Sequence, residues 1–351
     1  MGSYLFDSKE NAMSWLGKPG FTLAAGLLAT AAQAQQVNVI CSVQADWCNM
    51  MATVYTRTTG VRLNLAMKGS GEALAQLIAE RDNPKTDLWF GGTGDPHLQA
   101  AEQGLTLEYK SPSLAQLYPW AQQQAAQSGY KTVGVYLGPL GFGYNTELLA
   151  KKKMAAPRSW ADLLKPEYKG EIQVANPASS GTAYTAIATL VQIMGEDKAF
   201  DYLKALHKNI GQYTRSGTGP IKAVARGETA VSISFVHDAP QERMHGFPVQ
   251  TSTPGEGTGA EIGSMSIVRG SRNLAEAKKF YEWALTPGAQ AFGAAAKQYQ
   301  LPSNRNTAID PNVPDFKKIK LIDYDYKKYG SSAERRRLIA RWEKEVGSLP
   351  R

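Results

Sequence analysis

The feature that most constrains this chain is a repeated order of short apolar strand, tight polar loop and amphipathic helix. VNVICS is followed by the helical pattern DWCNMMATVYTRTTG, and VRLNLAM and TDLWFGG begin similar units. GEIQVANP and TAVSISFV begin further units in the second half. This alternation predicts an α/β fold with mostly parallel sheets flanked by helices, in which ligands bind outside the carboxyl ends of the strands.

Chain length and two crossing points divide the alternation into two lobes. The 351 residues exceed what a single hydrophobic core usually supports. We predict that the chain crosses from the first lobe to the second in the glycine-rich apolar stretch around Gly138. We predict that it returns to the first lobe along the apolar strand that begins at Gly263. We therefore expect a first lobe of residues 35–138 and 265–351, a second lobe of residues 139–264, and a two-strand hinge.

Residues 1–34 are predicted to be a signal peptide with an N-terminal extension. FTLAAGLLATAAQA is an apolar run too short to cross a bilayer, and it ends in the small-residue pattern Ala32-Gln33-Ala34 that precedes cleavage. Met13 is a natural start for this signal. We therefore expect export and cleavage after Ala34.

The cysteines and the charge balance argue against a metal site built on the cysteines and against nucleic-acid binding. Cys41 and Cys48 are close in sequence, and export permits a disulfide between them, whereas two thiols without a partner at zinc-ligand spacing make a poor metal site. The net charge is +8, but the basic residues are scattered. The short runs at 151–153 and 335–337 are interpreted as solvated helix faces, so nucleic-acid binding is not expected.

Small hydroxyl residues and glycines recur where predicted strands give way to helices. Turns and helix caps favour these residues, so plain capping is an alternative for each of them. Several on the ligand side of two sheets favour an anion such as phosphate, which backbone N–H groups and hydroxyls can bind. No loop has the nucleotide P-loop pattern. The candidate phosphate-binding residues are Ser42, Ser70, Thr93, Ser179, Ser180, Gly181 and Thr182.

A second set of polar residues has different chemistry. His237 and Asp238 follow the strand SISFV, and Glu261 lies in the predicted loop GTGAEIG beside the return crossing. A carboxylate only accepts hydrogen bonds, so it repels phosphate and suits sugar hydroxyls. The simpler alternatives are that His237 and Asp238 cap a helix and that Glu261 is a solvated acid in a loop. Acid–base catalysis by a secreted phosphatase is another, but no G-x-S-x-G nucleophile motif accompanies these residues.

Five segments in this order resemble the periplasmic solute-binding proteins of ABC importers, in the group that includes ferric-ion and phosphonate receptors. They are GSGEALAQL, DLWFGGTGDP, LGPLGFGYN, WADLLKPEYKGEIQVANPASSGTAY and VARGETAVSISF. The resemblance covers nearly all of the chain after residue 34. It implies a two-lobed type II periplasmic-binding-protein fold that closes on its ligand. It also implies a monomeric periplasmic receptor with inner-membrane permease partners, no cofactor, no metal and no enzymatic activity.

One position distinguishes branches within this group. Its metal-binding members carry adjacent tyrosines after the strand equivalent to AVSISF, where this chain has Val236-His237-Asp238, and no Tyr-Tyr pair occurs in the sequence. The tyrosine-rich segment DYDYKKYG is interpreted as surface. With Glu261, the His-Asp pair resembles the branch that binds sugar phosphates, above all hexose 6-phosphates. Receptors for a phosphonate, another organophosphate or ferric iron are the alternatives.

Overall fold

Strands and helices alternate along residues 35–350, which are the residues that this computed structural model describes. The strands are β1 (Gln36–Cys41), β2 (Arg62–Met67), β3 (Leu88–Phe90), β4 (Val133–Asn145), β5 (Ile172–Ala175), β6 (Ile210–Thr214), β7 (Val231–Phe235), β8 (Val249–Ser252), β9 (Ala260–Ile267) and β10 (Leu301–Pro302). The predicted signal peptide lies outside the described residues.

The helices fill most of the connections between these strands. They are α1 (Ala45–Thr59), α2 (Ser70–Ala79), α3 (Gly94–Glu102), α4 (Pro119–Gln127), α5 (Thr146–Lys152), α6 (Gly181–Met194), α7 (Glu196–His207), α8 (Gly219–Ala225), α9 (Ala239–Met244), α10 (Leu274–Ala284), α11 (Pro287–Gln290), α12 (Phe292–Ala295), α13 (Tyr326–Tyr329) and α14 (Ser332–Trp342). Short 3₁₀ turns occur at Pro112–Gln116, Ala161–Leu164, Pro166–Tyr168, Val236–Asp238 and Phe316–Lys318, and a π turn follows α14 at Glu343–Gly347. Within the described part of the chain, no helix has the length and apolarity needed to span a membrane.

The strands form two sheets that share β4, in the order β2-β1-β3-β9-β4-β7-β5-β6. In the first lobe β1 pairs in parallel with β2 and β3, and in the second lobe β5 pairs in parallel with β6 and β7. β4 and β9 are antiparallel to their neighbours. The α/β prediction is confirmed, but the sheets are mixed rather than mostly parallel because the two crossing strands oppose the βα units.

β4 carries the chain from the first lobe to the second. Its first half pairs with β9, and its second half, from Leu140 onwards, pairs with β7 and β8. The return strand β9 begins at Ala260, three residues before the predicted start at Gly263. Glu261 therefore lies on a strand opposite Gly138 rather than in a loop.

The C-terminal segment packs differently from the expected division, which assigned all of residues 265–351 to the first lobe. The chain crosses between lobes a third time near Leu321, which bridges to Thr258. Beyond this point the apolar side chains join the hydrophobic cluster of the second lobe. The physical reason is that α14 has an apolar face: the helix touches both α3 and α6, but its buried side chains Leu338 and Trp342 pack into the second-lobe cluster.

Two interpretations of this segment are therefore wrong. Tyr324 and Tyr329 of the tyrosine-rich segment are buried in the second-lobe cluster, not on the surface. The arginine run at 335–337 is not a uniformly solvated face, because Arg335 is only 6% exposed. Helical periodicity explains the difference, since neighbouring residues of one helix point in different directions.

Candidate functional site

A cleft of about 350 Å³ lies between the lobes, where the loops that follow the parallel strands meet. Nine of the ten predicted ligand-binding residues line it. We call one set the anion end, formed by Ser42, Ser70, Thr93, Ser180, Gly181 and Thr182. We call the other the acid end, formed by His237, Asp238 and Glu261.

Ser179 does not line the cleft, although the sequence made it a candidate. Its hydroxyl donates to the carbonyl oxygens of Arg215 at 2.8 Å and Asn176 at 3.3 Å. The side chain therefore fixes the loop before α6 instead of facing a ligand.

Hydrogen bonds fix the first-lobe half of the anion end. Ser70 Oγ accepts from the Thr93 backbone N–H at 3.0 Å, which joins the start of α2 to the start of α3. Trp89 Nε1 donates to Ser42 Oγ at 2.9 Å, and Tyr136 Oη accepts from Gly92 N–H at 2.9 Å. The Thr93 hydroxyl is buried and has no hydrogen-bond partner among the described residues. These groups are preorganised for an acceptor-rich ligand.

The second-lobe half of the anion end is the N-terminus of α6. Its N-cap is Ser180, whose side chain makes no capping hydrogen bond, and its first turn contains no acidic residue. The first N–H groups of a helix lack internal partners and carry partial positive charge. A 14-residue helix that leaves these groups uncapped can bind an anionic oxygen.

The acid end lies over β4, whose neighbours on either side are β7 and β9. His237 and Asp238 belong to the 3₁₀ turn after β7, and His237 Nε2 is 3.4 Å from Glu261 Oε1 and 3.8 Å from Asp238 Oδ1. All three side chains are buried. Gln44, from the loop after β1, hydrogen-bonds to Asp238, so residues of both lobes contact each other here.

Burial sets the protonation of the acid end. It lowers the pKa of His237 to about 3, so this imidazole is neutral. It raises the pKa of Asp238 to about 7. Burial, and then the neighbouring charge of Asp238, raises the pKa of Glu261 well above its ordinary value. A protonated carboxyl group donates as well as accepts, so this end is better suited to hydroxyl groups than the acceptor-only carboxylates of the sequence analysis.

The lobes meet on both sides of the anion end. Gly181 lies directly against the Thr93 side chain, with no space for a Cβ atom. At the rim, Arg215 of the second lobe pairs with Glu72 of α2. Because Arg215 is 82% exposed, this ion pair is strongly screened by water.

Several residues that line the cleft were not predicted from the sequence. The loop 215–218, with the sequence RSGT, follows β6 and has the same pattern of glycine and hydroxyl residues, so the sequence contained a signal for it. Lys68 precedes the Gly69-Ser70 junction that was recognised. Tyr136 in the middle of β4, together with Gln298 and Gln300 after α12, gave no local signal, because only tertiary packing brings them to the cleft.

The loop after β1 is held from both ends. Cys41 ends β1, Cys48 lies in α1, and a disulfide joins them. Ser42 and Gln44 lie between the two cysteines and line the cleft. Among residues 35–350, no group of three or more His, Cys, Asp or Glu side chains is placed to hold a metal ion.

Comparisons with known proteins agree on one class. A family model described as bacterial extracellular solute-binding protein matches residues 83–328. The periplasmic binding protein AfuA from Actinobacillus pleuropneumoniae, solved with exogenous fructose-6-phosphate bound, is 44% identical with a TM-score of 0.88, covering 90% of this chain and 99% of that chain. The periplasmic binding protein P5PA is 40% identical with a TM-score of 0.86, covering 89% and 99%. An uncharacterised protein of Haemophilus influenzae is 42% identical over 328 residues, covering 92% of this chain and 95% of its own length.

Proposed function

Because the chain belongs to the bacterial extracellular solute-binding protein family, we propose that it is the periplasmic receptor of an ABC importer and binds a phosphorylated sugar, with hexose 6-phosphates as the preferred class. The observation that carries this proposal is the joining of two chemistries in one cleft, a set of neutral donors at one end and buried carboxyl groups at the other. The 44% identity to AfuA, whose structure contains fructose-6-phosphate, supports the same ligand class.

The anion end binds the phosphate group. Hydroxyl and amide N–H donors contribute about 1.5–3 kcal/mol each when the acceptor is charged. The donors come from α2 and α3 of the first lobe and from α6 of the second. The cationic residues of the cleft lining, Lys68 and Arg215, add charge near the rim.

The acid end binds the sugar hydroxyls. His237 is neutral, and its buried Nδ1 has no hydrogen-bond partner among the described residues. Asp238 and Glu261 offer acceptors and, when protonated, donors. A phosphonate without a polyol body leaves these buried polar groups unpaired, which costs affinity.

Ligand binding favours the closed arrangement of the lobes. The first lobe alone offers the donors of α2 and α3, and closure adds those of α6 and the acid end. The difference in contacts between open and closed forms is the free energy that shifts the equilibrium. The closed receptor then docks with permease subunits in the inner membrane. We further propose that it is a monomer, reaches the periplasm after cleavage of the signal peptide, and performs no chemistry on its ligand.

The function is tested by native mass spectrometry of the purified protein, followed by calorimetry. Glucose 6-phosphate and fructose 6-phosphate are compared with glucose, inorganic phosphate and 2-aminoethylphosphonate. We expect a hexose phosphate to bind at least ~100-fold more tightly than either part alone, since each part loses two or more charged or buried hydrogen bonds.

Three outcomes contradict the proposal. Tighter binding of 2-aminoethylphosphonate identifies a phosphonate receptor, and a coloured protein after iron loading identifies a ferric receptor. Release of inorganic phosphate from glucose 6-phosphate identifies a phosphatase.

A further inference from the structure

A buried arginine lies behind the anion end without lining the cleft. Arg335, in α14, donates from Nη2 to the carbonyl oxygens of Pro177 at 3.4 Å and Ala178 at 3.3 Å. Its guanidinium group lies 5.0 Å from the centre of the Tyr184 ring in α6. Arg335 therefore holds the loop and the helix that place the N-terminus of α6 at the cleft.

The first lobe contacts the same arginine. A Cβ atom on Gly71, in the first turn of α2, would lie 3.1 Å from Arg335 Nη2 and 2.8 Å from the Ala178 carbonyl oxygen. Asp95 lies in the first turn of α3, two residues after Thr93. Burial raises the pKa of its carboxyl group to about 7, and the nearby positive charge of Arg335 opposes this rise. The helices that carry Ser70 and Thr93 thus meet Arg335 where they meet the second lobe.

Asp95 and Arg335 are both buried, but they make no hydrogen bond to each other. Asp95 Oδ2 accepts from Tyr324 Oη at 3.4 Å, but Asp95 Oδ1 and Arg335 Nη1 are buried without a hydrogen-bond partner among the described residues. A buried charge that loses its opposite charge is costly. The attraction between Asp95 and Arg335 therefore depends on how closely the first lobe approaches the second.

Helix α14 is anchored to both lobes. The Ser332 N–H donates to Glu102 Oε2 at 2.7 Å, and Gln103 Nε2 donates to Ser332 Oγ at 3.1 Å, which ties the start of α14 to the end of α3. Leu338 and Trp342 pack in the second-lobe cluster. This double attachment keeps Arg335 at the junction of the lobes.

We propose that Arg335 is a positioning residue that couples phosphate binding to lobe closure. It fixes the loop 177–178 so that the N-terminus of α6 meets Thr93, and its attraction to Asp95 favours the closed arrangement. This inference rests on the proposed binding of a phosphorylated sugar, because the coupling needs a ligand held by donors of both lobes.

The test compares Arg335→Met, Arg335→Lys and Asp95→Asn in the full chain, with Arg337→Met as the control on the same helix. Arg337 is half-exposed and pairs with Glu196 and Glu334. Calorimetry and stopped-flow measure affinity and dissociation rate for glucose 6-phosphate. Small-angle scattering measures the compaction that the ligand induces.

We expect Arg335→Met to weaken binding at least ~10-fold through faster dissociation and to reduce compaction, because losing the hydrogen bonds to the loop 177–178 and the attraction to Asp95 destabilises the closed form. Arg335→Lys retains the positive charge and recovers part of the affinity. Asp95→Asn keeps the shape of the side chain and still weakens binding at least ~3-fold. Arg337→Met binds and compacts as the wild type does.

A purely structural role predicts a lower free energy of unfolding with unchanged affinity and compaction in the folded variants, and that result overturns the inference. If Arg335→Met does not fold, unchanged binding by Asp95→Asn overturns it equally. If the wild type binds no sugar phosphate, the proposed function fails instead. The inference is then judged by whether Arg335→Met and Asp95→Asn shift the unliganded protein towards the open form, and no shift in either folded variant overturns it.

Discussion

Gly181, the first residue of α6, lies against Thr93 of the opposite lobe so closely that a Cβ atom on Gly181 would overlap the Thr93 side chain. The two lobes are therefore in direct contact at the anion end, between a helix N-terminus and a buried hydroxyl group. Any atom added there must be accommodated by moving the lobes apart.

Gly181→Ala is expected to obstruct closure while leaving each lobe folded. The added methyl group clashes with Thr93 only when the lobes are together, so affinity for glucose 6-phosphate falls at least ~10-fold in calorimetry. Gly288→Ala is the control, since nothing lies within 4 Å of its Cβ position. Undiminished affinity and normal compaction in Gly181→Ala contradict this account of closure.

Asp238→Ala is expected to distinguish the contributions of the two ends of the cleft to binding. Loss of a buried carboxyl that contacts sugar hydroxyls weakens hexose 6-phosphate binding by about 10- to 100-fold, whereas inorganic phosphate binding is retained. Ser70→Ala, at the anion end, weakens both ligands. Calorimetry with each ligand measures the difference, and an equal loss of both ligands in Asp238→Ala refutes the division.

The burial of Asp238 makes the stability of the unliganded protein depend on pH. The pKa of this carboxyl is 3.8 ordinarily and about 7 in the fold, so between these values the folded protein holds a proton that the unfolded chain releases. The free energy of unfolding therefore decreases as pH rises through this range. His237 acts oppositely: its pKa falls from 6.5 to about 3, so unfolding becomes easier as pH falls below 6.5.

We expect Asp238→Asn to lose the Asp238 contribution and to gain stability relative to the wild type at about pH 8. One pKa unit corresponds to about 1.4 kcal/mol, so the change is a few kcal/mol at most. Urea unfolding at about pH 5 and about pH 8 measures it, with the exposed-site variant Asp201→Asn as the control. If the free energy of unfolding decreases between these pH values as much in the variant as in the wild type, Asp238 is not the source of the pH dependence.

The disulfide is expected to stabilise the loop after β1. Cys41 and Cys48 close a loop of about eight residues, for which loop entropy gives ~2–3 kcal/mol. Replacing both by alanine lowers the free energy of unfolding by this amount in urea titrations. It also weakens hexose phosphate binding, because Ser42 and Gln44 lie within the loop. The reduced wild type is the matched control, and a variant as stable as the oxidised protein contradicts the estimate.

The sequence predicted which residues lie in the cleft better than it predicted the packing around the cleft. Ser70, Thr93 and Gly181 follow strands whose carboxyl ends meet at one edge of each sheet, so local pattern alone brings them to one cleft. Tyr136 and Gln298 gave no comparable signal, because their place in the cleft depends on packing between distant segments. Ser179 is the opposite case: it was predicted to line the cleft and lies in the loop before α6, but its hydroxyl group points to backbone carbonyl oxygens instead.

The C-terminal segment shows why domain division is harder to predict. Each helix there has an apolar face, but periodicity does not say which lobe covers it. Arg335 lies in a basic run and was interpreted as solvated, although the next turn of α14 is buried in the second lobe. The assignment of residues beyond Leu321 required the third crossing, which no motif indicates.

The sharing of β4 by both sheets has a consequence for how the protein comes apart. If either lobe loses its sheet, the shared strand loses partners and an edge of the other lobe's sheet is left unpaired, so we expect the two lobes to unfold together on heating. Limited proteolysis would then cut the native protein without releasing one lobe as a stable folded fragment.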